Sequence, residues 1–251
     1  MQIKIRRWLS ITLVVVALVL GACGTEQVAS LDSSGSSTTE TTSTPAVVSP
    51  SPQMSNLPRL DGKATVVLEV KGSPITIEVN GTDAPITAGN FVDLVQQGVY
   101  DGLVFHRVVR EPQPFVVQGG DPQGKDPNFP AEALGTGSFI DPETSQARYI
   151  PLEIKPQGAK EPIYSKTFDK AGITTPPALR HTRGAVAMAR SSPPDSASSQ
   201  FYMALADLPF LDGNYAVFGY VTEGMDVLDK IQQGDRIESA EVTQGIENLK
   251  K

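Results

Sequence analysis

Phe105-His106-Arg107-Val108-Val109, followed by Phe115-Val116-Val117-Gln118-Gly119-Gly120-Asp121, decides how the rest of the chain is read. Two β-branched runs, residues 103–109 and 116–118, carry one arginine and one glutamine among apolar side chains. The segment holds no nucleophile and no metal-ligand cluster, a poor kit for breaking bonds. It suits a site that grips an apolar group beside a backbone amide and offers one strong hydrogen-bond donor.

Working outward, residues 64–70 and 75–79 are β-branched, partly alternating runs. Lys71-Gly72-Ser73-Pro74 between them is turn chemistry, so a hairpin is expected. Asp83-Ala84-Pro85 opens a helix, with Phe91, Leu94 and Val95 at helical spacing and Gly98 as its stop. Short strands are expected at 184–188, 200–204 and 216–221, and a second helix at about 225–232 before Gly234. Residues 244–251 are too short and polar to assign. This pattern favours a mainly β antiparallel barrel or sandwich with helical plugs, and periodicity does not choose between the two. Residues 126–179 are rich in proline and glycine, with one short strand expected at 149–154. A loop-like stretch of that length is often functional.

From about Ala64 to Ile237 the chain resembles the cyclophilin family of peptidyl-prolyl isomerases. The resemblance is carried by Phe105-His106-Arg107 with Gln118-Gly119-Gly120-Asp121, by Arg183-Gly184-Ala185-Val186-Ala187-Met188-Ala189-Arg190 with Ser198-Ser199-Gln200-Phe201-Tyr202, and by Phe210-Leu211-Asp212-Gly213-Asn214-Tyr215-Ala216-Val217-Phe218-Gly219. It implies a closed antiparallel β-barrel of about eight strands capped by two α-helices, with a long loop insertion at 126–179. It also implies isomerisation of X–Pro bonds in proline-containing polypeptides, with no cofactor and no metal.

Rotation about such a bond must cross an amide barrier of about 18–20 kcal/mol, because the nitrogen lone pair is shared with the carbonyl. A donor near the nitrogen of the twisted amide favours that state over the planar one, which is what catalysis requires. The resemblance makes Arg107 the catalytic donor, and a planar, permanently charged fork suits the task. The duller reading is a solvated strand arginine. Phe115, Val116, Phe210, Leu211, Tyr202 and Tyr215 match positions lining the proline pocket. Gln118 and Gln200 match groups that bond the peptide backbone, and Ala189 and Arg190 match the edge that pairs with an extended substrate. Phe105, Phe201 and Phe218, the alternates on the same strands, are expected in the core.

Five positions depart from the common family pattern: Val116 for methionine, Arg190 for asparagine, Tyr202 for phenylalanine, Phe210 for tryptophan and Tyr215 for histidine. None removes the arginine, so activity with weakened cyclosporin binding is expected. His106 is expected to be structural, and His181 to serve a loop. Gly119–Asp126 nearly matches a phosphate-binding loop, but Asp126 stands where the magnesium-binding hydroxyl belongs, so no nucleotide is expected. The alternative function is a proline-recognising binding or chaperone module with incidental catalysis.

Lys4, Arg6 and Arg7 precede an apolar run over residues 8–20 that is shorter than a membrane-spanning helix needs. Leu20-Gly21-Ala22-Cys23-Gly24 looks like a bacterial lipobox, and Cys23 is the one cysteine of the 251-residue chain. Residues 1–22 are therefore expected to be a lipoprotein signal peptide, and residues 23–58 a disordered Ser/Thr/Pro-rich tether lipidated at Cys23. Residues 59–251 would form one monomeric extracytoplasmic domain held at a bacterial membrane. The formal charge of −7 disfavours nucleic-acid binding.

Overall fold

The computed structural model describes residues 54–251, so the expected signal peptide, Cys23 and most of the tether lie outside the described residues. Its centre is an eight-stranded sheet in which every pairing is antiparallel. In chain order the strands are β1 (Lys63–Val70), β2 (Ser73–Asn80), β3 (Arg107–Val108), β4 (Val116–Gly119), β5 (Ala185–Met188), β6 (Phe201–Ala204), β7 (Val217–Glu223) and β8 (Ser239–Gln244). They lie side by side as 8-1-2-7-5-6-4-3.

β1 and β2 form the expected hairpin. Lys71 and Gly72 both have positive φ (52° and 66°), the two-residue turn whose twist matches its flanking strands. Along β1 the buried residues alternate as Ala64, Val66, Leu68 and Val70, and β2 buries Ile75, Ile77 and Val79. Helix α1 (Pro85–Gln96) starts on its tolerated first-turn proline and buries every residue from Ile86 to Val95. Its Phe91 ring meets Tyr100, Phe201 and Phe218 at 5.2, 5.3 and 4.9 Å, so this helix fills the concave side of the sheet. Phe105, Phe201 and Phe218 are fully buried, as expected.

The sheet curls, but β3 and β8 do not complete a ladder around a closed barrel. The segments leading into them meet instead, through Gly102 N–H to Ile237 O, Ile237 N–H to Leu103 O, Phe105 N–H to Asp235 O and Gly234 N–H to Phe105 O at 2.7–3.0 Å. This is why the strand expected at 103–109 is only two residues long in the sheet: its first half turns to that bridge. The second expected helix shrinks to α3 (Met225–Leu228), while a four-residue α2 (Phe168–Ala171) appears inside the insert. The sequence pattern does not mark β8, which buries only Ala240, with Val242 half-buried between polar residues, as suits an edge strand. Leu249–Lys250, left unassigned from sequence, pairs with Arg59–Leu60.

The insert is not a loose loop. It contains paired strands Ile140–Asp141 with Gln146–Ala147 and Glu153–Ile154 with Ile163–Tyr164, and it buries Phe139, Ile150, Leu152, Ile154 and Phe168. Helix α1 has no side-chain cap of its own, and the insert supplies one. The Glu153 carboxylate, 1% exposed, accepts from Ile86 N–H, Thr87 N–H and Thr87 Oγ1 at 3.1, 2.8 and 2.8 Å. An anion is favoured there by the helix dipole and the free amides of the first turn. Burial pushes the Glu153 pKa up, against the pull of those donors. Farther along α1, Asp93 pairs with Arg148 of the insert and with Lys251, each at 2.6 Å.

Candidate active site

Strand alternation builds the site. Arg107 sits opposite Gln118, Gln118 opposite Tyr202, and Tyr202 opposite Ala187. Residues directly opposite share a face, so this row points away from α1. Val117, Phe201, Met203 and Val186 are the alternates and point into the main core. A second apolar cluster forms on the outer face from Val116, Ala185, Ala187, Tyr202, Ala204, Leu208 and Val217, with Phe115, Leu211 and Tyr215 packed against it. Over it lies a cup of about 310 Å³ lined by Arg107, Phe115, Val116, Gln118, Ala189, Arg190, Tyr202, Leu211 and Tyr215.

Arg107 is exposed at the rim. Its Nη1 donates to Gln118 Oε1 at 3.3 Å, and its guanidinium carbon lies 5.4 Å from the centre of the Phe115 ring. Gln118 Nε2 donates to Gln200 Oε1 at 3.2 Å, and Gln200 Nε2 to Gly137 O at 2.8 Å. The arginine is thus aimed by one weak hydrogen bond and one ring contact, with most of its donors unspent on the protein.

The structure gathers nine of the eleven expected domain residues on one cup. Gln200 lines an adjoining concavity of about 610 Å³, which shares Gln118, Ala189 and Arg190 with the cup. Phe210 stands outside the wall: it is 66% exposed and stacks on Phe115 at 6.0 Å, forming an outer lip. Cys23 lies outside the described residues.

Sequence reasoning missed what stands behind the cup. His181 does not merely serve a loop. It is 2% exposed, with Nδ1 at 2.8 Å from Asp212 Oδ1 and Nε2 at 2.9 Å from the Tyr202 hydroxyl. The carboxylate can only accept, so Nδ1 carries the proton and Tyr202 donates to Nε2 of the neutral ring. Burial lowers the His181 pKa, opposed by Asp212. The signal was present in the sequence: a tyrosine hydroxyl in an apolar wall requires a buried partner, and the chain has just two histidines.

The other histidine, His106, takes no part in a hydrolase-like triad. Among the described residues neither of its ring nitrogens has a hydrogen-bond partner. Burial lowers its pKa, with Asp121 opposing and Arg107 adding to the fall.

The Gly-Gly-Asp segment holds the wall of the larger concavity. Gly120 has φ +89°, and a Cβ there would sit 2.5 Å from Ser199 O, so only glycine allows β4 to leave the sheet at this point. Asp121 Oδ2 accepts from Gly135 N–H and Gly137 N–H at 2.6 and 3.0 Å, and Oδ1 from Gln123 N–H at 2.9 Å. Where a phosphate loop would turn its amides to a ligand, this segment turns Gln123 N–H to its own aspartate.

Residues 65–250 match the family described as cyclophilin type peptidyl-prolyl cis-trans isomerase/CLD. The chain is 42% identical over 207 residues to a Synechocystis protein provisionally named a thylakoid lumen peptidyl-prolyl cis-trans isomerase, covering 78% of this chain and 51% of that one. It is 41% identical to the chloroplastic peptidyl-prolyl cis-trans isomerase CYP38 of Arabidopsis thaliana, covering 77% and 45%. It therefore spans about half the length of those two relatives. A Helicobacter pylori peptidyl-prolyl cis-trans isomerase is 37% identical, covering 70% of this chain and 85% of that one. In fold, the chain resembles the crystal structure of a Cryptosporidium parvum cyclophilin type isomerase, with a TM-score of 0.53 at 22% identity over 72% of this chain and 98% of the other. With a curled eight-stranded sheet, an arginine at the rim of an apolar cup and this breadth of sequence match, the chain belongs to the cyclophilin family of peptidyl-prolyl cis-trans isomerases.

Proposed function

We propose that this protein accelerates cis–trans rotation about X–Pro bonds, with the proline ring in the cup and Arg107 as the catalytic donor. The observation that carries the reading is the placement of Arg107 at the cup's rim with most of its donors free. Val116, Leu211, Phe115 and the rings of Tyr202 and Tyr215 give a small cyclic side chain apolar walls. Arg107 then reaches the peptide group that this placement leaves at the rim. A guanidinium N–H is worth more to the basic, pyramidal nitrogen of the twisted amide than to the planar one, whose lone pair is delocalised. Gln118 and Gln200 hold the backbone on either side. No proton need leave and no covalent bond breaks. Lowering the barrier by about 5 kcal/mol would supply nearly four decades in rate.

The test is a prolyl-isomerisation assay on short X–Pro peptides. Wild type accelerates exchange, and Arg107→Ala does so far more weakly. Peptide binding without acceleration by the wild type would support the binding-module reading instead. Weakened cyclosporin affinity is proposed from Phe210 and Tyr215, and inhibition at nanomolar drug would contradict it.

Extracytoplasmic location is proposed from the lipobox at Leu20-Gly21-Ala22-Cys23 and from the compartments in the names of the Synechocystis and Arabidopsis relatives. Among the described residues no helix is long and apolar enough to cross a membrane. The lipobox itself is the basis for proposing that acyl chains on Cys23 form the anchor. Metabolic labelling with a fatty acid should mark the wild type and leave Cys23→Ala unlabelled.

A further inference from the structure

We propose that the site selects an acidic residue immediately before the proline, and that Arg190 is the residue that selects it. This deepens the isomerase reading and rests on it. Two arginines, Arg107 and Arg190, line the cup, and no carboxylate lines it. Neither guanidinium makes an ion pair among the described residues, whereas Arg148 and Arg183 pair with Asp93 and Asp229. A chain of formal charge −7 thus presents a cationic hollow.

The two cations are held differently. Arg190 Nε and Nη2 donate to Asn214 O at 3.2 and 2.8 Å, and Nη1 donates to Ser191 O and Ser192 O at 2.8 and 3.2 Å. Its guanidinium carbon lies 4.7 Å from the centre of the Tyr215 ring. Four of the five N–H groups of a guanidinium are thereby occupied by neutral carbonyls. The group is fixed, its charge is not neutralised by any anion, and it has little left to offer a peptide carbonyl. What it contributes to a substrate is charge.

Position follows from the walls. Gln118, Ala189 and Arg190 line both concavities and so mark their junction. With proline in the smaller hollow, we place the residue before it over that junction, one Cα step of about 2.9 Å (cis) to 3.8 Å (trans) away, with the chain entering from the larger space. Nearby acids do not cancel the effect. Asp212 keeps its charge but does not line the cup, and His181 and Tyr202 stand between it and the hollow. Asp195 lines the larger concavity only and accepts from Leu152 N–H. It would disfavour an acid placed deeper, which restricts the preference to the junction.

The experiment measures catalysed cis–trans exchange by NMR on one peptide frame with Glu-Pro, Gln-Pro, Lys-Pro or Pro-Glu at the centre. Glu-Pro should exceed Gln-Pro by about twofold to fivefold in kcat/KM at low ionic strength, the range of a partly exposed charge pair. Lys-Pro should fall below Gln-Pro, and the spread should shrink toward unity at about 1 M salt. Arg190→Gln should abolish the spread and Arg190→Lys should retain it. Equal rates for Glu-Pro and Gln-Pro in the wild type, a spread indifferent to salt or to Arg190→Gln, or a preference for Pro-Glu would overturn the proposal. Should Arg190→Gln fail to fold, Arg190→Met, which keeps an unbranched stem against the Tyr215 ring, takes its place, and the wild-type series with its salt dependence tests the preference itself. Acceleration of Gln-Pro without favour for Glu-Pro sinks this inference and leaves the isomerase reading standing. No acceleration of any peptide sinks both.

Discussion

At the cup's rim, Arg107, the proposed donor, is held by a single 3.3 Å bond and a ring contact at 5.4 Å, and the aromatic side chains around it meet near 6 Å. The insert, by contrast, meets the core through short charged bonds: Glu153 at the amino end of α1, and Arg148 on Asp93 at 2.6 Å. Apolar walls with one loosely held cation leave donors available to a ligand, whereas the insert's charges are consumed by the protein itself. The difference assigns chemistry to the cup and cohesion to the insert, and each assignment can be broken separately.

Arg107→Ala should have the largest effect. Removing a donor aimed at the transition state lowers kcat/KM by about two to three decades. The side chain is exposed and has one weak bond, so stability should change by no more than about 0.5 kcal/mol. Isomerisation assays paired with urea unfolding check both halves. A variant that loses stability along with rate would show that this arginine holds the fold.

Glu153→Ala should do the reverse. It strips three buried donors of their acceptor, and with the lost carboxylate the cost is about 3–5 kcal/mol. Glu153→Gln keeps one acceptor oxygen and should cost less. At temperatures where the variants remain folded, turnover per folded molecule should stay within about twofold of wild type. A collapse of turnover in a fully folded Glu153→Gln protein would mean that the insert shapes the cup after all.

The cup was legible because period-two alternation is written in the strands: Arg107, Gln118 and Tyr202 share a face, with Phe201 and Val117 on the other. The insert was not, because its order comes from distant partners. Glu153 finds Ile86 and Thr87 more than sixty residues away, and no local propensity encodes that. Gly213 shows the same limit. It reads as a turn, yet a Cβ there would lie 2.8 Å from Phe168, so it is also the seat on which α2 docks. Phe210 lies on the family motif yet stands exposed at the cup's outer lip, because its short 3₁₀ turn carries no alternation from which a face could be read.

Tyr202→Phe tests the boundary between the two regions, where a cup residue is held by buried polar bonds. Losing the hydroxyl leaves His181 Nε2 without its donor, at a cost of about 1–2 kcal/mol. Thermal unfolding measures it. The ring remains to wall the cup, so a fall in rate as large as that of Arg107→Ala would shift the chemistry toward the tyrosine.

The smallest effect is a pH dependence of stability. Burial holds the folded-state pKa of His181 below 6.5, its ordinary value in the unfolded chain. Between those two values the unfolded chain binds a proton that the folded one refuses. Stability from this group is therefore whole above about pH 6.5 and declines as the pH falls toward the folded-state value, by at most about 1.4 kcal/mol per pH unit. His106, also lowered by burial, acts in the same direction. Glu153, raised by burial, acts in the opposite one, since its folded form takes up a proton more readily than the unfolded chain. The discriminating measurement is therefore a difference. The melting temperature between pH 7.5 and 5.5 should fall less in His181→Gln than in the wild type, and the residual slope belongs to the other two groups. A larger fall in that variant than in the wild type would mean that the ring behind Tyr202 is already protonated in the folded protein. The Tyr202 hydroxyl would then accept from it, not donate.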